Sequence, residues 1–294
     1  MLRVRTIELG LDKPVLMGVV NVNADSFSDP GPRTIAQSVG KALAMIDEGA
    51  AIIDVGAQSS ATRRAPVPAA TEVAAIVPVV KELVRARPGT IVSVDTFKLE
   101  VAEAALANGA HIINDVSGLP GPEMARACAG YQAGLVVMHT SAPPLVRRQE
   151  AGLYGNIAEE VAGYLADKRD IALKNGVAAH SIILDPGPDF TKTPPQTIDL
   201  LRNIGDVVEL GQPVLLALSR KDFVGALTAR RPHDRGAGTL GAIAALRRVP
   251  RQILRVHDVA AAADMLAVLD ALTGASTVSP DLRLPEELRH QPVA

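Results

Sequence analysis

Eight short apolar runs recur along the chain, and each closes on a polar residue. They are LMGVVN (Asn21), AIIDVG (Asp54), TIVSVDT (Asp95), HIINDV (Asn114), GLVVMH (His139), IILDPG (Asp185), PVLLALSRK (Ser219, Lys221) and QILRVH (Arg255, His257). The runs are continuous rather than alternating, which is how strands buried on both faces of a parallel sheet read. Between them, apolar residues fall at helical spacing over 34–48, 69–86, 98–108, 121–130, 156–175, 196–204, 236–248 and 259–273. Pro78 predicts a kink or shallow bend in the second of these. The connections carry Gly, Pro, Asn and Asp, as turns require. Strand and helix therefore alternate eight times, the pattern of a (β/α)8 TIM barrel in the α/β class. A doubly wound open sheet would carry a glycine-rich turn after its first strand; NVNADSFSDPGP is not one. We expect one domain over residues 1–275 and a polar, proline-bearing tail over 276–294.

Composition narrows the picture. Hydrophobic residues are 48% of the 294, enough for a large core, and a charged fraction of 21% excludes a disordered chain. With aromatics at 2% and no Trp, Ala, Val, Leu and Ile must fill the interior, and a stacking platform for nucleic-acid bases is not expected. The net charge of −2 gives no electrostatic reason for a polyanionic partner. Cys128 is the single cysteine, so no internal disulfide forms. The first residues lack an apolar signal core and no stretch is long enough to span a membrane. A cytoplasmic protein is the expectation.

A charged group at the end of a β-branched run is costly unless it faces a site, and strand ends of a closed barrel share one mouth. Asp95, Asn114 and Asp185 supply two carboxylates and an amide, suited to a heterocycle offering N–H donors along one edge. Arg255 and His257 lie on the same side of their strand. Together with Lys221 they occupy the usual anion site of this fold, after the seventh and eighth strands. They read as a phosphate or pyrophosphate clamp, with the acids on one rim of the mouth and the cations on the other. Asn21, next to the eighth strand in a closed ring, shares that anion or offers its carbonyl oxygen to Mg²⁺. The long polar loops after the first two strands, residues 21–32 and 56–66, suit a reaction kept from water.

The segments LMGVVNVNADSFSDPG, AIIDVGAQS, VSVDTFK, GAHIINDVSG, VVMH, ILDPGPDFTKT, LSRKDF and RVHDV, in this order over residues 14–273, resemble the serial motifs of the dihydropteroate synthases. The resemblance implies a TIM barrel that dimerises through its later helices. It implies condensation of 6-hydroxymethyl-7,8-dihydropterin diphosphate with 4-aminobenzoate, with Mg²⁺ and release of pyrophosphate, in folate synthesis; the family is the sulfonamide target. By motif position, Asp95, Asn114, Asp185 and Lys221 would bind the pterin. Asn21, Ser60, Arg255 and His257 would bind the diphosphate, with Asn21 near the metal. Phe190 and Ser219 would face 4-aminobenzoate. Lys221, Arg255 and His257 would be the catalytic set.

Three motifs depart from the family pattern. The first loop has Asn23 and Ala24 for Thr-Pro, and Pro30 for a glycine. The second reads GAQSSATRR: an ungapped match places Ser60 and Ala61 at the Thr-Arg positions, whereas a slip of two residues places Thr62 and Arg63 there. The sixth motif has Asp189 and Thr191 for two glycines, adding a charge that would repel an anionic second substrate if close. The altered loops sustain an alternative reading, a divergent pterin-binding relative with little turnover or a different amine. A pterin-barrel methyltransferase would share the Asp/Asn edge but has no use for the cationic set.

Overall fold

The eight runs pair in sequence order and close on themselves. The structure is a computed structural model that describes residues 1–22, 34–58, 66–146 and 148–290, with the backbone at 25–26 and 29–30. The strands are β1 (Val15–Asn21), β2 (Ile52–Gly56), β3 (Ile91–Asp95), β4 (Ile112–Asp115), β5 (Gly134–Met138), β6 (Ile182–Asp185), β7 (Val214–Leu216) and β8 (Gln252–Val256). All pairings are parallel, and β8 returns to β1 to complete the barrel. Around it run α1 (Ile35–Asp47), α2 (Ala69–Ala86), α3 (Leu99–Ala107), α4 (Glu123–Gly130), α5 (Ile157–Lys174), α6 (Pro194–Arg202), α7 (Asp222–Thr228), α8 (Gly236–Ala245) and α9 (Val259–Leu272). The TIM barrel expected from the alternation is what forms.

Local sequence explains the helix starts. Thr34 and Gln37 form a reciprocal capping box on α1, and Thr193 and Gln196 form one on α6, whose first residue is Pro194. The second helix remains a single element across Pro78. The stretch expected over 196–204 divides into α6 and a separate turn at Gly205–Val208. The stretch expected over 236–248 stops at Ala245, where the Gln252 amide donates to the Leu246, Arg247 and Val249 carbonyls and gathers the chain back to β8. The seven-residue α7 had no periodicity long enough to be read.

Register sorts the barrel interior into levels. Ile52 lies beside Ile91 and Asp54 beside Ser93; Asp95 lies beside Asn114; Leu215 lies beside Ile253. Because side chains alternate along a strand, Met17, Ile52, Ile91, Ile112, Val136, Ile183, Leu215 and Ile253 form one apolar inner cluster. Two residues further along their strands come Asp54, Ser93, Asn114, Asp185 and Arg255. The interior is thus apolar at its amino-terminal end and polar toward its carboxyl-terminal mouth. The second apolar layer, between strands and helices, is filled by Val, Leu, Ile and Ala.

An element not anticipated from the sequence seals the apolar end. Leu2–Val4 and Ile7–Leu9 form an antiparallel hairpin. Leu2, Val4 and Leu11 pack into the inner cluster. The hairpin is fastened by Ser181 Oγ donating to the Arg3 carbonyl at 2.6 Å and by Arg5 Nη2 donating to the Leu106 carbonyl at 2.7 Å. Beyond α9, residues 274–290 are largely exposed, with one helical turn at Glu286–Leu288. Leu2 is fully buried beneath the barrel. Leu2→Ala is expected to cost about 2–5 kcal/mol in urea unfolding through lost burial and a residual cavity, with substrate KM unchanged because the mouth lies at the other end.

Candidate active site

Asp54 organises the polar level. It is completely buried, and a carboxylate there persists only if donors converge on it. Three do: Ser93 Oγ at 2.6 Å, Asn114 Nδ2 at 3.2 Å and Arg255 Nε at 2.7 Å. Arg255 continues across the mouth and donates through Nη2 to Asp95 Oδ2 at 2.8 Å. The expected separation of acids and cations onto opposite rims is therefore corrected. Alternation and barrel curvature carry the long Arg255 side chain from β8 to the acids of β2 and β3. Among the described residues, three of the guanidinium's five N–H donors are left for a further acceptor.

The amide of Asn114 is half used. Its Nδ2 is committed to Asp54, while the buried Oδ1 has no partner among the described residues. A buried carbonyl oxygen without a donor is costly, and a ligand N–H would satisfy it. Asp185, also buried, accepts the Gly187 N–H at 2.7 Å through Oδ1. Asn21 ends β1 beside Gly56 and Asp95.

The β6, β7 and β8 ends form the other half of the mouth. Lys221 Nζ stands 4.3 Å from the Phe190 ring centroid, a cation–π contact. Ser219 Oγ lies 2.9 Å from His257 Nδ1 and accepts the His257 backbone N–H at 3.3 Å. Ser219, expected on the 4-aminobenzoate side, is thereby tied to His257, expected on the diphosphate side. Asp189 does not present an open charge. Its Oδ2 accepts the backbone N–H groups of Asp222 and Phe223, and its Oδ1 accepts Thr197 Oγ1 at 3.1 Å.

Burial sets the protonation states. It pushes Asp95 up to about 7, with Arg255 pulling the other way and Asp54 and Glu72 adding to the rise. Burial raises Asp185 and Asp189, both opposed by Lys221. It lowers Lys221 against the pull of Asp189 and Asp185. His257 falls to about 3 through burial and the nearby Arg255, Arg220, Lys41 and Lys221, so its imidazole is neutral at pH 7.

Asn21, Asp95, Asn114, Asp185, Phe190, Ser219, Lys221, Arg255 and His257 thus all stand at the carboxyl-terminal ends of the barrel strands or in the loops that follow them. Ser60 lies outside the described residues, as do Asn23, Ala24, Ala61, Thr62 and Arg63. Sequence reasoning gave no role to three residues that the structure makes central. Asp54 was visible as a charge inside AIIDVG. Ser93 carried no signal. Lys192 is fully buried, with Nζ 2.8 Å from His139 Nδ1 and donating at 3.0 Å to both the Gly187 and Phe190 carbonyls. Burial brings Lys192 down to about 7 and His139 down to about 2. His139 is therefore a neutral acceptor that helps shape the β6 loop.

The family model described as "Pterin binding enzyme" matches residues 17–257. The dihydropteroate synthase of Mycobacterium leprae is 40% identical over 266 residues, 87% of this chain and 92% of that protein. The solved Xanthomonas albilineans dihydropteroate synthase with 4-aminobenzoic acid is 37% identical with a TM-score of 0.82, covering 90% of this chain and 95% of that one. The structure of that enzyme in complex with 7,8-dihydropteroate gives a TM-score of 0.79 over the same shares. The likeness runs from the first barrel strand to the last and takes in every strand end that builds the mouth: the chain belongs to the dihydropteroate synthase family of pterin-binding enzymes.

Proposed function

We propose that the protein condenses 6-hydroxymethyl-7,8-dihydropterin diphosphate with 4-aminobenzoate to give 7,8-dihydropteroate and pyrophosphate. The observation that carries this reading is the coincidence, in one mouth, of the Asp95–Asn114–Asp185 acceptor edge with Arg255, Lys221 and His257. Asp95 and Asp185 take N–H groups of the pterin edge, and the unpartnered Asn114 Oδ1 takes another. Lys221 reaches the pterin carbonyl side. Arg255 and His257 hold the diphosphate, and Phe190 and Ser219 flank the aromatic acid.

The reaction breaks the C–O bond between the pterin methylene and the diphosphate and forms a C–N bond to the amine, which releases a proton. The electron-rich dihydropterin delocalises the developing cation, so the displacement is dissociative in character. An aromatic amine is neutral at pH 7, and no strong base is needed. Catalysis rests on positioning and on cations fixed beforehand where anionic charge develops. Sulfonamides, as analogues of the second substrate, would compete at the Phe190 side.

Magnesium fits the donors near Asn21. Among the described residues no group of three or more His, Cys, Asp or Glu side chains could hold a metal alone. A methyl built on Gly56 would come 3.9 Å from Asn21 Oδ1 and 3.3 Å from Asp95 Cβ, so an amide and a carboxylate meet at a glycine-cleared rim. That set suits an ion that keeps its waters and takes oxygens from diphosphate. Asn21 would hold it, and the ion would spread the charge of departing pyrophosphate.

A cytoplasmic homodimer is part of the same reading. Leu227 on α7 and Val268 and Leu272 on α9 are 69%, 60% and 82% exposed, apolar surface on the later helices that a second copy would cover. No helix among the described residues is long and apolar enough to cross a membrane.

Turnover of the two substrates by the purified protein, with and without Mg²⁺, tests the proposal; absence of dihydropteroate in both would overturn it. Arg255→Ala is expected to lower kcat/KM by about 10²–10³. It should also destabilise the fold by about 3–5 kcal/mol, because Asp54 is left buried and uncompensated; unfolding of the Arg255→Ala/Asp54→Asn pair should recover part of that loss. Because Asp95 is pushed up to about 7, it gains a proton as pH falls through that value, loses its charge and can no longer accept pterin N–H groups through both oxygens. KM for the pterin substrate is therefore expected to rise from pH 8 to pH 6, and Asp95→Asn should flatten this dependence.

A further inference from the structure

Lys221 precedes α7 with no capping side chain of its own. The residue that caps this helix comes from another loop: Asp189, whose Oδ2 takes the first N–H groups, those of Asp222 and Phe223. Asp189 is held in turn by α6, its N–H donating to Thr197 Oγ1 and its Oδ1 accepting from the same hydroxyl, each at 3.1 Å. It does this from a left-handed backbone, φ 65°. A side chain is costly there, and the family motif has glycine. The opposite side of the Lys221 turn is braced by Arg235, whose Nη1 donates to the Arg220 and Lys221 carbonyls at 2.8 and 3.0 Å. The Lys221 backbone is therefore clamped from two sides, while its ammonium stands over Phe190, the residue next to Asp189.

We propose that Asp189 is a positioning and specificity residue for the second substrate: it locks Lys221 and Phe190 into one rigid unit and sets the charge that an aromatic amine bearing a carboxylate meets there. This rests on the synthase reading above and deepens it. The carboxylate does two separable things. As a cap it joins the β6 and β7 loops, so Phe190 and Lys221 move together. As a charge it is the foremost influence keeping Lys221 protonated against burial, ahead of Asp185 and Asp222 and opposed by Arg255. Lys192 lies close enough for Lys221 to depress it in turn, and Asp95 and His257 also face Lys221. The added acid thus does not simply repel an anionic substrate; it maintains the Lys221 cation that stands over Phe190, the ring beside which the second substrate would lie.

Two substitutions separate these effects. Asp189→Gly removes cap and charge while relieving the left-handed backbone, so a folded variant results. Asp189→Asn keeps an acceptor for the α7 N–H groups and loses the charge. For Asp189→Gly, KM for 4-aminobenzoate is expected to rise about tenfold, the scale of a lost cap, and by clearly more than KM for the pterin diphosphate, which Asp95, Asn114 and Asp185 also hold. For Asp189→Asn, 4-aminobenzoate KM at pH 7 should stay within about threefold of the parent, a range below the tenfold scale set by a lost cap. The alkaline limb of its kcat/KM profile should move to lower pH. A readout independent of turnover is the pH dependence of Lys221 acetylation by acetic anhydride, followed by peptide mass mapping. Its onset should move to lower pH in Asp189→Asn and stay put in an Asp206→Asn control on the outer turn. Parallel rises in both KM values, or an unmoved acetylation onset, would overturn the proposal. Failure of the parent protein to turn over would instead count against the synthase reading, with the acetylation comparison still deciding the role of Asp189.

Discussion

A guanidinium held between two carboxylates inside the barrel is the interaction on which the mouth depends. Arg255 ties β8 to Asp54 on β2 and Asp95 on β3, while Asn114 on β4 and Ser93 on β3 complete the ring of donors around Asp54. Four strands distant in sequence are pinned by polar contacts at one level. Buried ion pairs owe their stability to such completeness: the desolvation cost is recovered only when every lone pair finds a donor. The level beneath is wholly apolar and sealed by the N-terminal hairpin. Water is kept from the underside of the pair, and the electrostatics above are correspondingly strong.

How much of this was legible follows from what each signal needs. The barrel was readable because eight apolar runs end in polar groups, and parity along a strand sends alternate residues inward whatever the side chain. The inward assignment of Asp95, Asn114, Asp185, Arg255 and His257 follows from that alone. The hairpin was not readable, since strands of three residues offer too few positions for a period. The reach of Arg255 into the acids was hidden because its length carries it past its strand neighbours, and sequence gives the strand but not the span across the mouth. Lys192 in the sixth motif was given no role from the sequence. Only the fold shows its ammonium enclosed by His139 and two carbonyls.

The departures from the family pattern in the sixth motif have a shared logic. Asp189 and Thr191 both sit at positive φ, 65° and 51°, where glycine is the inexpensive choice. Each offsets its backbone cost with a bond between loops. Asp189 caps α7, while Thr191 Oγ1 accepts the Ser141 N–H at 3.0 Å and lies 3.2 Å from the Tyr154 hydroxyl. The substituted positions stitch the β6 loop to its neighbours on either side, so glycine's conformational freedom is exchanged for rigidity in the loop that carries Phe190.

Around the mouth the signs are interleaved: Arg255 lies against Asp54 and Asp95, Lys221 faces Asp185 and Asp189, and His257 is held neutral by burial and by the cations near it. A clamp built from exposed, uncompensated cations would repel itself and destabilise the barrel. Interleaving lets the cations stay fixed without a ligand, which is the condition for stabilising a departing anion without reorganisation.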